Sequence, residues 1–233
     1  MLQNRIRYTT LISLLWGFIG LKAFGIWSYI LQLQLLNHPP FPIALALAND
    51  LRVRLVAILV LLIYIVAAVF FCRWVYVSNK TVRELGASGL RHSPAMAVGS
   101  FFIPFANLVW PYEAMSDLWR ASIDVNTWQQ NRKSLALPFW WAFWILNGAL
   151  GYLAFFLTRE AKTVDSLRDL TTYLIGTEFV GITVTLLAIY LVRSISIQAN
   201  TQFCANQPPL PTQRSDTPAA GAPVVPPSDG AGL

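Results

Sequence analysis

The sequence predicts an all-α membrane protein: four transmembrane helices plus a proline-broken re-entrant or interfacial segment, with five spans as the alternative. Three observations predict it. The chain of 233 residues is 55% hydrophobic but only 12% charged, about half the charged share of soluble domains. Uncharged apolar runs long enough to cross a bilayer recur along it. Its 17 Lys and Arg residues give a net charge of +6, yet they sit in short stretches between apolar runs and form no basic stripe, which excludes nucleic acid as a partner. Cys72 and Cys204 are the only cysteines and His38 and His92 the only histidines. That set suggests neither a disulfide framework nor a metal site, and no cofactor is expected.

The first apolar run, about 8–34, follows Arg5 and Arg7. It is too long for a signal-peptide core of roughly 7 to 15 residues, so it reads as an uncleaved helix. Residues 55–72 are 18 uncharged residues ending at Arg73, the clearest span. Residues 134–158 hold 25 uncharged residues, with the span itself at about 138–157, and 171–192 is interrupted only by Glu178. Both are expected to cross.

Residues 93–112 are also uncharged over 20 positions, but they carry Pro104 and Pro111 with Asn107 between them. Ser93 is placed to cap a helix that Pro94 begins and Pro104 ends. The ten residues before the break would make a helix of about 15 Å, half a hydrocarbon core, which fits a re-entrant or interfacial segment. Beyond Pro111 an interfacial helix is expected over 111–130. Met115, Leu118, Trp119 and Ser122 would lie on its apolar face, and Glu113, Asp117, Arg120 and Asp124 on a solvated stripe of local ion pairs.

Charge distribution arbitrates between four and five spans. With four, Arg5, Arg7, Arg73, Lys80, Arg83, Arg91, Arg120, Arg132, Lys133, Arg193 and Arg214 are inside. Arg52, Arg54, Arg159, Lys162 and Arg168 are then outside, giving 11 against 5. Five spans give 9 against 7. The four-span arrangement puts both termini in the cytoplasm. It places Tyr8, Trp74, Tyr76, Trp140, Trp141 and Tyr190 at inner membrane boundaries and Trp27, Tyr29 and Tyr173 at outer ones. Arg73, Lys80 and Arg83 would meet anionic lipid headgroups. From 205 to 233 seven of 29 residues are proline, so this tail is expected to be disordered.

The span midpoints carry Lys22, Tyr64 and Asn147, with Glu178 about one turn from the fourth. A lysine at a helix centre costs about 2.5 to 3.5 kcal/mol on insertion scales. Lys22 and Glu178 are therefore expected to pair inside the bundle, with Tyr64 and Asn147 supplying hydrogen bonds. Gly17, Gly25, Gly148, Gly151 and Gly181 would admit close helix approach. Two readings of this layer stay open: a proton, ion or small-solute site, and a structural network that fixes helix register. Asn107 similarly stands either as part of a cavity lining or as the group that satisfies the broken backbone.

Phe71, Trp74, Asn79, Leu85 and Gly86, followed by FIPFANLVWPYEAMSDLWRAS with Phe102, Pro104, Asn107, Pro111, Tyr112, Met115, Trp119 and Ser122, resemble the bacterial integral-membrane family catalogued as domain of unknown function 4328. The resembling region covers about 55–201. The resemblance implies a bacterial, multi-helix protein of the plasma membrane and transfers no catalytic residue. The residues themselves show no Gly-x-Ser-x-Gly elbow, His-Glu-x-x-His or phosphate loop. The expected function is thus a non-enzymatic structural, regulatory or partner-binding membrane subunit, joined to a membrane-protein partner or a homo-oligomer. The alternative is a transporter or channel for a proton, an ion or a small solute.

Overall fold

The structure, a computed structural model, describes residues 2–205, with side chains from residue 8 onward. It contains six α-helices: α1 (Leu2–Leu36), α2 (Ile43–Glu84), α3 (Pro94–Gly99), α4 (Trp110–Ile123), α5 (Ala136–Glu160) and α6 (Val164–Ala205). A 3-10 turn, Ala106–Leu108, separates α3 from α4, and no strand occurs among the described residues. Four helices are long and apolar enough to cross a membrane: α1 from Tyr8 to Leu36, α2, α5 and α6. Apart from Ala205, which ends α6, the proline-rich tail lies outside the described residues.

The helices run beyond the spans expected from charge. α2 and α6 are each 42 residues long, about 63 Å at 1.5 Å per residue, or twice a hydrocarbon core of about 30 Å. Arg73 and Arg193 end the uncharged runs without ending the helices, because Arg, Lys and Glu are themselves good helix formers. The start of α1, the end of α2, α3, α4, the start of α5 and the end of α6 gather at one end, here termed the cap end. The opposite end carries only the short connections 37–42 and 161–163.

α1 and α6 pack together at the centre, with α2 beside α1 and α5 beside α6. This arc closes at the cap end, where the rings of Phe71 on α2 and Trp140 on α5 approach to 6.1 Å and Phe101 sits edge-on to Phe71 at 6.0 Å. Most of the buried core lies there too: Trp74, Val82, Met115, Leu118, Trp140 and Ile195 belong to one contiguous cluster. Trp74, Trp140 and Trp141 are buried in it, so their rings face the core and not the lipid.

The broken segment departs from expectation in detail. Ser93 does cap α3, its Oγ accepting from the Met96 amide at 3.2 Å, and Pro94 does open it. The helix ends at Gly99, well before Pro104. Ser100 turns its hydroxyl onto the Ala97 carbonyl, a local bond that competes with helix continuation. Phe105 then adopts φ +65° and redirects the chain into the 3-10 turn. A helix of six residues is about 9 Å long and cannot cross, so four spans stand and the fifth does not form. Phe102 and Phe105 are 74% and 87% exposed at the tip of this segment.

Two further corrections concern α4 and the glycines. α4 stops at Ile123, short of 130, because Asp124 is extended and its carboxylate accepts from the Asn126 amide and the Thr127 hydroxyl. Nor is its polar stripe fully solvated, since Asp117 is only 1% exposed. Of the five glycines expected at helix contacts, Gly25 has Val56 Cγ1 3.8 Å from where a Cβ would stand, and Gly181 is tightly approached. Gly17, Gly148 and Gly151 face open space.

Trp74 Nε1 donates to Ser196 Oγ at 2.9 Å inside the core, tying α2 to α6. Trp74→Phe and Ser196→Ala are each expected to cost about 1 kcal/mol. The double variant should cost less than the two added together, as a double-mutant cycle of thermal unfolding in mild detergent will measure.

Candidate functional site

The central pair of helices carries the central pair of charges. Lys22 lies midway along the apolar part of α1, Tyr8–Leu36, and its Nζ donates to Glu178 Oε2 on α6 at 2.7 Å. Both side chains are nearly buried, at 12% and 14% exposure. The ammonium also stands 5.1 Å from the centre of the Phe18 ring, a distance at which the ring face attracts a cation. Gly181, about one turn along α6, makes the space. A Cβ there would fall 2.7 Å from Lys22 Nζ and 3.3 Å from Asn147 Oδ1, so an added methyl would push the lysine end from its place beside the amide.

Tyr64 does not join them. It is 52% exposed on the outside of α2, its ring contacts Phe18 at 6.1 Å, and its hydroxyl forms no hydrogen bond among the described residues. Its depth matched the layer but its face of the helix did not. Tyr29, two turns along α1 from Lys22 and expected only at the outer membrane boundary, lies within electrostatic reach of Glu178. The i, i+7 spacing from Lys22 was the signal available for it.

Asn107 stands apart from this layer and shares no hydrogen bond with it. Its amide nitrogen on the main chain donates to the Ile103 carbonyl at 2.9 Å, while its side-chain Oδ1 is buried without a partner. The free backbone at the break is instead satisfied from α5, where Trp141 Nε1 donates to the Leu108 carbonyl at 3.1 Å. Pro104 is exposed in the turn, and Pro111 is buried in the first turn of α4, where a missing N–H costs nothing.

The three basic residues expected at lipid headgroups divide. Arg73 is exposed at the cap end of α2. Lys80 pairs with Glu84 at 3.6 Å on the exposed surface. Arg83 turns inward: Nε donates to Asn79 Oδ1 at 3.0 Å and a terminal nitrogen to the carbonyls of Leu90 and His92 at 3.3 and 2.7 Å. It holds the 85–93 connection to α2, so its expected headgroup role is corrected by these contacts.

The best-built polar cluster gathers on the α4 stripe that was expected to be solvated. Asp117 accepts from the Arg91 main-chain amide at 3.1 Å, from Arg91 Nε at 3.0 Å and from a terminal nitrogen of Arg91 at 2.7 Å. Arg120 adds a contact at 3.2 Å. Arg91 also reaches Glu113 at 2.9 Å, whose other oxygen lies 3.1 Å from His92 Nε2. The hydrogen bond to Asp117, foremost, holds the Arg91 guanidinium pKa above its ordinary value, against the opposing effect of burial. At the end of α4 the Thr127 and Asn126 donors hold the Asp124 carboxyl below the usual carboxylate range. With its oxygens occupied by donors from the same chain, Asp117 fastens the 85–93 connection to α4. Among the described residues, no group of three or more His, Cys, Asp and Glu side chains is placed to hold a metal ion.

Four long apolar helices, a charge pair between the central two and a folded cap at one end define a multi-pass, all-α integral membrane protein. Residues 42–197, about two thirds of the chain, match the family described as Domain of unknown function (DUF4328), and the protein belongs to it. No curated protein and no solved structure matches the chain.

Three expectations follow from this geometry. Lys22→Ala and Glu178→Ala are each expected to destabilise the protein by about 3 kcal/mol, since each leaves an uncompensated charge. The double variant should recover most of the loss, as thermal unfolding in detergent will show. Gly181→Ala should lower the melting temperature in the same assay, and Gly148→Ala, where nothing is close, should not. Asp117→Asn weakens the charge-assisted bonds to Arg91 and is expected to cost roughly 1.5 to 3 kcal/mol, with faster proteolysis of the 85–93 connection as the readout.

Proposed function

We propose that this protein is a non-enzymatic membrane subunit, structural, regulatory or partner-binding, whose four helices anchor the cap and hold it at the membrane surface. The observation that carries this reading is the direct contact of Lys22 with Glu178 at 2.7 Å. The two charges neutralise each other and fix the register of α1 against α6. The cap supports it further, because the chain puts most of its core packing and a buried carboxylate beyond the apolar spans.

On this reading the cap faces the cytoplasm, in accord with the excess of Lys and Arg at that end, and the membrane is the bacterial plasma membrane. Partners are a second membrane protein or further copies of the chain. Transport of a proton, ion or small solute through the Lys22, Asn147 and Glu178 layer is the competing reading, because buried ionisable groups in membranes commonly mark pathways.

One preparation tests both points. Liposomes holding the purified protein and an internal pH-sensitive dye, energised by a potassium diffusion potential, are expected to take up protons no faster than protein-free liposomes. Uptake by the wild type that the Lys22→Met, Glu178→Leu variant abolishes would establish the transport reading instead. Orientation is read in cells from Cys204, exposed at the end of α6. In a Cys72→Ala background a membrane-impermeant maleimide should label it only after the membrane is permeabilised.

A further inference from the structure

At the cap end, a groove opens between the start of the apolar part of α1, α2 and the end of α6. Tyr8 lines it from α1, Phe70, Arg73 and Thr81 from α2, and Ser196 and Asn200 from α6. The groove is polarised along its length. Phe70 lies on the membrane side, Arg73 stands where the uncharged run of α2 ends, and Thr81 is eleven residues beyond Phe70, about 16 Å further from the hydrocarbon.

Among the described residues its charge is uncompensated. α1 contains no Asp or Glu, α2 has none between Asp50 and Glu84, and α6 has none after Glu178. Glu84 is engaged with Lys80, Asp117 with Arg91, and Asp124 with its own turn. Arg73 and Arg193 form no ion pair among the described residues. Arg5 and Arg7 belong to the first two turns of α1, directly before Tyr8. An apolar mouth, an unpaired guanidinium at the membrane boundary and neutral hydrogen-bonding groups beyond it suit a molecule with an acyl chain, a phosphate and a polar headgroup.

The geometry points to a binding site for one anionic glycerophospholipid of the cap-side leaflet. Its phosphate meets Arg73, its acyl chains leave past Phe70, and its headgroup reaches toward Thr81 and Asn200. Such a lipid bridges α1, α2 and α6. This site is independent of what the cap binds and of whether the Lys22–Glu178 layer conducts.

The test is native mass spectrometry of the full protein in mild detergent, titrated with phosphatidylglycerol, phosphatidylcholine or inorganic phosphate. The wild type is expected to retain one phosphatidylglycerol in preference to phosphatidylcholine, and millimolar inorganic phosphate should not displace it. Arg73→Gln is expected to weaken retention roughly fivefold, the factor for one basic residue at an anionic surface. Lys80→Gln, on the same helix but outside the groove, should leave it unchanged. Equal retention by wild type and Arg73→Gln, or equal retention of the two lipids, overturns the proposal. Displacement by inorganic phosphate overturns it in favour of a free-phosphate site. Asn200→Leu, which fills the headgroup end, is expected to weaken phosphatidylglycerol as well, and it carries the test if Arg73→Gln does not remain monodisperse.

Discussion

The attachment of Arg91 to Asp117 is the constraint on which the rest of the cap depends. The nine residues between α2 and α3 contain two glycines with positive φ, Gly86 and Gly89, and have no regular structure of their own. A carboxylate that is 1% exposed is costly to bury alone, and here its oxygens receive main-chain and side-chain donors from the far side of that connection. Arg83 grips the same connection from the opposite side through two carbonyls. With the loop held from both α2 and α4, α4 can lie against α6, and the aromatic rings of α2, α5 and the broken segment can meet.

That arrangement explains why packing is so uneven along the molecule. Inside hydrocarbon, lipid tails are as apolar as leucine, so helices gain little by exchanging one for the other and rely on shape, small residues and polar contacts. Outside it, water restores the hydrophobic drive. The protein follows this division: the apolar parts of α2 and α5 are largely exposed to their surroundings, while the cap end holds the contiguous core. Within the spans, an ion pair and a closely approached glycine lie where α1 meets α6.

Much of the architecture was legible in the sequence because the signals are physical limits of the bilayer. Lengths of uncharged chain revealed four crossings, and Pro104 with Asn107 marked a segment unable to make a fifth. Lys22 and Glu178 could be matched by depth because an isolated charge there is expensive. Depth without rotational phase misled at Tyr64, which shares the level of the pair but faces outward. Charge was also a poor guide to helix ends, since a guanidinium leaves hydrocarbon without leaving the helix. Asp117 was misjudged for a related reason. Its stripe on α4 looked solvated, and nothing local showed that Arg91, 26 positions earlier, folds back to cover it.

The pairing of α1 with α6 also sets an order of events during synthesis. Lys22 and Glu178 are 156 residues apart, so the first membrane helix enters the bilayer long before its central partner exists. Through that interval the lysine stem must reach toward a boundary or water to shelter its charge, while α1 has only α2 to lean on. α6, the last of the described helices to be made, therefore completes the centre of the molecule. A chain truncated before α6 would leave an orphaned cation in the membrane, a feature by which quality-control machinery can recognise an unfinished product.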